Sequence, residues 1–289
     1  MISQQITLGQ LVASELIIAS IVGALAKMGK KLEAWYDALA AMNKLGHIFD
    51  LDIEREDGER RVNNQSGAHI QAEGLSFSYG RAPLFSGLNF NILPGSRAGI
   101  VGPHGSGGST LLNILFGLRQ PTAGFVRIDG LDLRNCYLES LRESVMLLRR
   151  DEIVGGTIIE NLRLGSSDIG MKEIQTALSK VGLLDELLHQ PEGLNLQLRV
   201  EGAPLSGNQR TRLLLARALV QRPKLLLIDE LFDGLDTESL NQLSVAILGK
   251  SQDWTVVLTT RDHDVTLKCD QIIKLSPRHI NDEFSHPKK

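Results

Sequence analysis

Cysteine is scarce in this sequence of 289 residues, and the two cysteines present, Cys136 and Cys269, are far apart. Their spacing fits neither a metal-binding nor a redox motif, so a reducing compartment is favoured and no disulfide framework is predicted. An excess of positive charge is also absent, because 31 basic and 34 acidic residues leave a net charge of −3. Binding to nucleic acid through a basic face is therefore not expected.

Aromatic residues are few as well, at 4% of the chain, and the 9 prolines are outnumbered by 28 glycines. This composition favours an α/β protein with glycine-rich turns over an all-β sandwich. Hydrophobic residues make up 42% of the chain. That fraction is enough for a substantial core, and the length leaves room for one large domain plus an appendage.

One long apolar run, Leu8 to Ala26, lies near the N-terminus. Its length approaches that of a membrane-spanning helix. Gln10 and Glu15 interrupt it, and a carboxylate at membrane depth needs a partner helix or an aqueous cavity. No basic residue precedes the run, which argues against a secretory signal. Lys27 and two further lysines follow it and place the rest of the chain on the cytoplasmic side. The alternative is a soluble helix that buries this face on its own domain.

Beyond this run, the pattern predicts more helix and then a boundary. Between Lys31 and Asp50, apolar residues recur at intervals of three and four, which predicts a helix with one buried stripe. The polar, turn-rich run Asp52–Gly67 marks a linker. After it, strand-like runs alternate with helical patterns, which predicts an open sheet with a parallel core. The strand-like runs are Leu75–Tyr79, Arg97–Val101, Leu225–Ile228 and Thr255–Thr259, and the helical ones are Ser109–Leu118 and Gly207–Gln221.

A glycine-rich loop, Gly102–Thr110 (GPHGSGGST), lies between a strand-like and a helical run, as phosphate binding requires. Its backbone N–H groups can turn toward phosphate oxygens, and the helix presents its positive end to the same anion. Gly108 stands where the pattern requires a lysine, whose loss removes a charge-assisted bond worth about 1.5–3 kcal/mol, or about 10- to 100-fold in affinity. His104 is expected to be a solvated loop residue. The candidate nucleotide-binding residues here are Gly102, Gly105, Ser106, Gly107, Gly108, Ser109 and Thr110, with Ser109 also expected to hold Mg²⁺.

An acidic pair, Asp229 and Glu230, ends the apolar run that starts at Leu225. Asp229 suits the Mg²⁺ shell, and Glu230 suits the polarisation of an attacking water. Alone, such a pair is also an ordinary strand end. It follows about 20 residues after Leu205–Arg210 (LSGNQR), which leads into a helical run.

The order of these three motifs resembles Walker A, signature and Walker B of the ATP-binding cassette family, across residues 70 to 276. The resemblance implies a P-loop NTPase domain with a parallel-core sheet, an antiparallel β subdomain and a helical subdomain, preceded by a long N-terminal helix. It implies ATP and Mg²⁺ as cofactors, adenine stacking on Tyr79, and a D-loop containing Asp236. The segments Pro191–Leu196 and Val200–Gly202 resemble the region that precedes the signature in exporters. Ser206, Gly207 and Gln209 of the signature would then contact ATP held by a partner cassette.

Four positions depart from the family pattern. Gly108 replaces the Walker A lysine, and Asn208 replaces the second glycine of the signature. Arg150, or Arg149 if the alignment shifts by a residue, stands where a glutamine senses Mg²⁺ and the γ-phosphate. These arginines are either a surface pair, or Arg150 restores positive charge near the phosphates. Thr260 stands where a histidine contacts the γ-phosphate. Three of the four positions belong to the chain's own ATP site, which is therefore predicted to be the more damaged one.

The resemblance also implies an organisation. Residues 1–50 would be the last transmembrane helix of a peptide or toxin exporter with its cytoplasmic extension. Residues 51–68 would be a linker, 69–280 the ABC ATP-binding domain, and 281–289 a C-terminal tail. Missing membrane helices would come from another chain, and a second cassette would complete a homo- or heterodimer. The location expected is the inner or plasma membrane, with the ATP-binding domain cytoplasmic.

These residues leave the function open between alternatives. The first is an ATP-binding subunit or C-terminal fragment of an exporter that couples ATP binding and hydrolysis to transport, with its own site impaired. The second is a catalytically inactive pseudo-ATPase that lends its signature to a competent partner. A third is a decayed gene product without function, since one membrane helix forms no pathway.

Overall fold

The computed structural model describes residues 7–51, 54–60, 67–80, 82–150, 152–164, 166 and 168–276. The chain divides into two compact units, Met1–Glu54 and Arg55–Lys289. The division falls inside the linker predicted at 51–68. The predicted tail at 281–289 lies outside the described residues.

The first unit is a single helix, α1 (Leu8–Phe49), of 42 residues. Gln10, which interrupts the apolar run, accepts a hydrogen bond from the Thr7 amide at 3.1 Å and so closes the start of the helix. Apolar residues are spread around α1 rather than confined to one face, and none of its residues is buried. The helix predicted for the 31–50 segment is confirmed, while its buried stripe stays a prediction. By length and composition, α1 is able to cross a membrane.

The second unit contains the sheets. Its strands are β1 (Ile70–Tyr79), β2 (Ala82–Ile92), β3 (Arg97–Val101), β4 (Ala123–Ile128), β5 (Leu131–Asp132), β6 (Val145–Leu148), β7 (Gly156–Thr157), β8 (Gln197–Leu198), β9 (Leu225–Asp229), β10 (Thr255–Thr259) and β11 (Gln271–Lys274). Its helices are α2 (Gly108–Leu115), α3 (Leu138–Ser144), α4 (Ile158–Arg163), α5 (Met171–Lys180), α6 (Leu184–Leu188), α7 (Gly207–Gln221), α8 (Thr237–Leu248) and α9 (His263–Leu267), with a 3₁₀ turn at Gly193–Asn195. The predicted bounds of β3, β10 and α7 are confirmed.

The central sheet has the order β11-β3-β10-β9-β6, and all its pairings are parallel. Its inner strands are largely apolar and almost wholly buried, as expected where helices cover both faces of a parallel sheet. Because the strands are parallel, their carboxyl ends meet at one edge. That edge gathers the loop after β3, the acidic pair after β9 and the residues that follow β6 and β10.

A second, antiparallel sheet has the order β2-β1-β4-β5. Its central strand β1 pairs with β2 and β4, and it delivers Tyr79 at its end. Part of the predicted linker packs against this unit: the Arg55 guanidinium donates to the carbonyls of Leu133, at 2.6 Å, and Cys136, at 2.7 Å. The segment from Arg55 to residue 60 is thus attached to the domain rather than free.

A helical layer built on α4, α5 and α7 forms the third part of the unit, with Leu162, Leu178 and Leu213 fully buried between these helices. The parallel sheet, the antiparallel sheet and this layer together confirm the predicted fold class. The buried Arg217 of α7 donates to the Asn161 carbonyl of α4 at 2.8 Å and thereby joins the two helices.

Candidate nucleotide-binding site

The phosphate loop, Gly102–Thr110, follows β3, includes the first three residues of α2 and forms one wall of a cleft of about 360 Å³. Gly105 and Gly107 have φ angles of +77° and +101°, which L side chains rarely adopt. A Cβ at Gly107 would also lie 2.8 Å from the Leu84 side chain. Gly107 caps α2 without a side-chain hydrogen bond. The N–H groups of the first turn are therefore left to face the cleft, which is an arrangement suited to an anion.

The position that lacks the lysine is crowded as well as uncharged. A Cβ built on Gly108 would lie 2.9 Å from Cγ2 of Thr259, a residue at the end of β10. Real Cβ atoms rarely come so close to another carbon, so the threonine methyl and a side chain at residue 108 compete for the same space. The glycine and the threonine therefore fit each other.

The Asp229 carboxylate is held by three side chains. Its Oδ1 accepts hydrogen bonds from Ser109 Oγ at 2.9 Å and from Thr259 Oγ1 at 2.8 Å. Its Oδ2 lies 3.5 Å from Nε of Arg149, whose guanidinium also donates to Asn113 Oδ1 on α2. Ser109 and Asp229, expected together at a Mg²⁺ site, are thus in direct contact, and a cation of the protein itself stands beside them.

The second carboxylate, that of Glu230, also has an arginine partner. Nη2 of Arg261 lies 3.2 Å from Oε1 of Glu230 and donates to Nδ1 of His104 at 2.8 Å. An arginine can only donate, so the ring nitrogen of His104 is the acceptor. His104 is exposed, as expected, but it is not merely solvated, because this contact joins the phosphate loop to the residue after Thr260. Arg261 lines the cleft.

The side chains of Thr260 and Arg150 form hydrogen bonds to residues that follow β9 rather than to the phosphate loop. The Thr260 hydroxyl donates to Oδ1 of Asp233 at 2.6 Å, and its residue is buried. The Arg150 guanidinium donates to the main-chain carbonyls of Glu230, at 3.2 Å, and Asp233. Of the two arginines considered for the glutamine position, Arg149 is therefore the one beside Asp229.

Tyr79 stands at the mouth of the cleft, half exposed. Its hydroxyl is 3.2 Å from Thr110 Oγ1, and its ring packs edge-on against Phe77 at a centroid distance of 5.0 Å. The guanidinium of Arg119 lies 5.0 Å from the ring centroid. These contacts hold an aromatic surface next to the phosphate loop, as stacking on a base would require.

The signature segment, Leu205–Arg210, lies apart from this cleft. Ser206 caps α7, because its hydroxyl accepts from the Gln209 amide at 3.3 Å while Gln209 Oε1 accepts from the Ser206 amide at 2.9 Å. Asn208 donates to Asp236 Oδ2 and to Ser239 Oγ, both at 3.1 Å. Gly207 and Asn208 line a separate groove of about 370 Å³. The fold thus brings the loop, the acidic pair and Tyr79 together and leaves the signature outside.

Asp236 is the N-cap of α8, and its side chain accepts from the Ser239 amide at 2.9 Å. Hydrogen bonds from the Ser239 hydroxyl and amide hold the pKa of Asp236 below its ordinary value. The hydrogen bond from Asn208 of α7 to this carboxylate at the start of α8 is therefore a charge-assisted one at neutral pH.

The sequence did not point to Arg261 or Thr259, although both line the cleft. One signal was present, because Thr259 ends the apolar run of β10. Since β10 is parallel to β3, the residues after Thr259 lie at the same edge of the sheet as the loop after β3. Which of Thr260 and Arg261 turns toward the loop depends on the backbone after the strand, which a pattern of residues does not specify.

Comparison with known proteins agrees with this architecture. Residues 85–233 match the family model described as ABC transporter. The chain is 29% identical over 98% of its length to the ATP-dependent lipid A-core flippase of Dechloromonas aromatica, and 27% identical over 99% to the alpha-hemolysin translocation ATP-binding protein HlyB of Escherichia coli O157:H7. It covers 49% and 41% of those proteins, so the chain spans about half the length of the curated relatives it matches, or less.

A solved structure, that of a bacterial Atm1-family ABC exporter with ATP bound, superposes with a TM-score of 0.76 at 26% identity. It covers 94% of this chain, whereas the chain covers 49% of it. The family model matches more than half of the chain. The protein therefore belongs to the ABC transporter family and carries an ATP-binding domain of the exporter type.

Proposed function

We propose that this chain is the ATP-binding part of an ABC exporter and couples nucleotide binding to transport across a membrane. The relatives named as a flippase, a toxin translocation protein and an Atm1-family exporter support this proposal, since each aligns with nearly the whole chain. In this assignment α1 is the last membrane helix with its cytoplasmic extension, and the ATP-binding domain is cytoplasmic.

The observation that carries the proposal is the cleft at the phosphate loop. Its glycines, the free start of α2 and Tyr79 suit the phosphates and base of ATP. The positive charge that Gly108 lacks comes, in this proposal, from Arg261, which lines the same cleft and contacts the loop through His104. An arginine binds phosphate oxygens well because its planar donors match their geometry.

Hydrolysis at this site should be very slow. Removing one electrostatic donor from a phosphoryl-transfer site typically costs about 10²–10³-fold in rate. Here the lysine is absent, and Glu230, the proposed catalytic residue, lies against Arg261. An attacking water would have to displace that ion pair in order to reach the carboxylate.

A second candidate function is that of a pseudo-ATPase, which binds nucleotide without turnover and acts through its signature. The contacts that favour it are those of both Walker B carboxylates with arginines. In this version Ser206, Gly207 and Gln209 complete the ATP site of a second cassette subunit, in a homo- or heterodimer. The capped start of α7 would hold them in place for that role.

The test compares ATP binding and turnover of four forms: the unmodified chain, Gly108→Lys, Thr259→Ser, and the double variant. Serine keeps the hydroxyl that contacts Asp229 and removes the methyl that meets a side chain at residue 108. The double variant should bind ATP about 10- to 100-fold more tightly, and the single lysine variant should gain less. Thr259→Ser alone is the matched control.

The outcomes separate the two candidates. Turnover restored in the double variant would mean that the missing lysine was the main defect and that the chain is a transport ATPase with an impaired site. Tighter binding without turnover would support the pseudo-ATPase. No ATP binding in any of the four forms would refute nucleotide binding at this cleft.

A further inference from the structure

The family to which the chain belongs usually binds ATP together with Mg²⁺, and Ser109 and Asp229 are the residues expected to hold the ion. Magnesium requires near-octahedral oxygen ligands at close range. Oδ1 of Asp229 already accepts from two hydroxyl groups, and Oδ2 faces the guanidinium of Arg149 at 3.5 Å. A dication at this carboxylate would sit next to a fixed positive charge, so the residues present do not fit the ion.

Arg149 is fixed in that place by α2. It donates to the side chain of Asn113, which lies on α2, the helix that starts at Gly108. Its Nε is buried and faces Oδ2 of Asp229 at 3.5 Å, an ion pair that does not reach hydrogen-bond geometry within the described residues. A buried N–H without a full hydrogen bond is costly, and an anionic oxygen beside Ser109 would relieve that cost.

The charges at the edge of the sheet balance without a metal ion. Asp229 and Glu230 carry two negative charges, and Arg149 and Arg261 carry two positive ones. In an ordinary site of this kind a lysine binds the β- and γ-phosphates, and the aspartate helps to hold the dication that bridges them. Here a guanidinium group lies at each carboxylate, and each offers planar donors suited to phosphate.

We propose that Arg149 takes the place of the divalent cation, so that this cleft binds a nucleoside polyphosphate free of metal. The inference rests on the proposed nucleotide binding and concerns the form in which the nucleotide is bound. Arg149 is in this view a binding residue that bridges Asp229 and the β- or γ-phosphate, while its contact to Asn113 holds the guanidinium in position.

The test measures ATP affinity by calorimetry for the whole chain in detergent, once with Mg²⁺ and once with EDTA. The two dissociation constants should agree within about 3-fold. Arg149→Gln should lose about 10-fold or more in EDTA and regain affinity when Mg²⁺ is added. Arg149→Lys, which keeps the charge, should retain binding in EDTA better than the glutamine variant does.

The control is Arg134→Gln, which removes an arginine paired with a carboxylate, Asp132, outside the cleft. It should leave both affinities unchanged. Binding by the unmodified chain in Mg²⁺ but not in EDTA would overturn the metal-free inference while leaving the proposed function standing. Binding in neither condition would overturn both. An equal loss for Arg149→Gln in both conditions would mean that Arg149 only supports the structure.

Discussion

The nucleotide cleft and the signature segment differ in what their polar side chains contact. In the cleft, Asp229 and Glu230 face arginines that a catalytic site would not place there. In the signature segment, Ser206 caps its helix and Asn208 bonds to the start of α8. The polar groups of the first region are paired with charged side chains, whereas those of the second cap one helix and connect it to the next. The comparison teaches that one domain can hold its two acidic side chains against arginines in one region and use its polar side chains to cap and connect helices in another.

The largest effect is expected behind the signature segment, at Arg217 of α7. Its guanidinium is buried and donates to the carbonyls of Asn161 and Glu152, at 2.8 and 3.0 Å. Arg217→Ala leaves these carbonyls without their donor, and we expect a loss of about 3 kcal/mol in unfolding free energy, measured in urea. The exposed Arg134→Ala should cost less than about 1 kcal/mol. Equal losses for the two variants would show that α7 is not anchored by this contact.

The next effect sharpens the comparison from the side of the cleft. Tyr79→Ala removes the half-exposed ring at the mouth, and ATP affinity should fall about 10-fold if adenine stacks there. Tyr79→Phe loses only the hydroxyl contact to Thr110 and should keep most of the affinity. Fluorescence titration with ATP distinguishes these outcomes. An unchanged affinity for Tyr79→Ala would place the base elsewhere. Neither variant should alter the melting of the signature helix.

An effect of similar size, on stability rather than on affinity, is expected on restoring the glycine that the family has in the signature. Asn208→Gly breaks the bonds to Asp236 and Ser239 and adds a flexible residue to the first turn of α7. We expect the chain to lose about 1–2 kcal/mol of stability, measured by thermal unfolding. Asn208→Ala separates the two causes, because it loses the bonds without the glycine. Wild-type stability in both variants would mean that the Asn208 contacts contribute nothing.

The last prediction is a chemical probe of the scaffold beneath the cleft. Burial, with a lesser contribution from Asp270, raises the pKa of Cys269 to about 11. At pH 8 the thiol should therefore react with iodoacetamide about 100-fold more slowly in the native than in the unfolded chain, and the rate should rise as the pH approaches that pKa. Mass spectrometry in a Cys136→Ser background gives the rate. A fast reaction in the Tyr79 variants would show that they disturb the sheet as well as the cleft.

Much of the fold was predictable because its strongest signals are local. The runs Arg97–Val101 and Thr255–Thr259 are short, apolar and bounded by polar residues, and both became strands with those bounds. Strands β2 and β4 were not predicted. Strand β2 mixes exposed and buried residues in an irregular order, and its pairing with β1 carries register shifts. The period of two by which a half-buried strand is recognised is lost there.

The site was predictable in its parts but not in its contacts. The loop, the acidic pair and Tyr79 were expected to share a site, and the fold brings them together at one cleft. That Arg149 rather than Arg150 faces Asp229 was undecided, and Arg261 was not foreseen. Neighbouring side chains after a strand point in different directions, so a shift of one residue changes the partner entirely.

By itself, the sequence determined the order of the elements, the glycine-rich loop, the missing lysine and the apolar length of α1, because all of these are properties of adjacent residues. Only the tertiary structure decided that the two carboxylates are met by two arginines and that Thr259 fills the space beside Gly108. These contacts join residues that are between 31 and 151 positions apart in the chain. Such pairs are set by strand order and by the direction in which each loop leaves the sheet, and no local pattern encodes them.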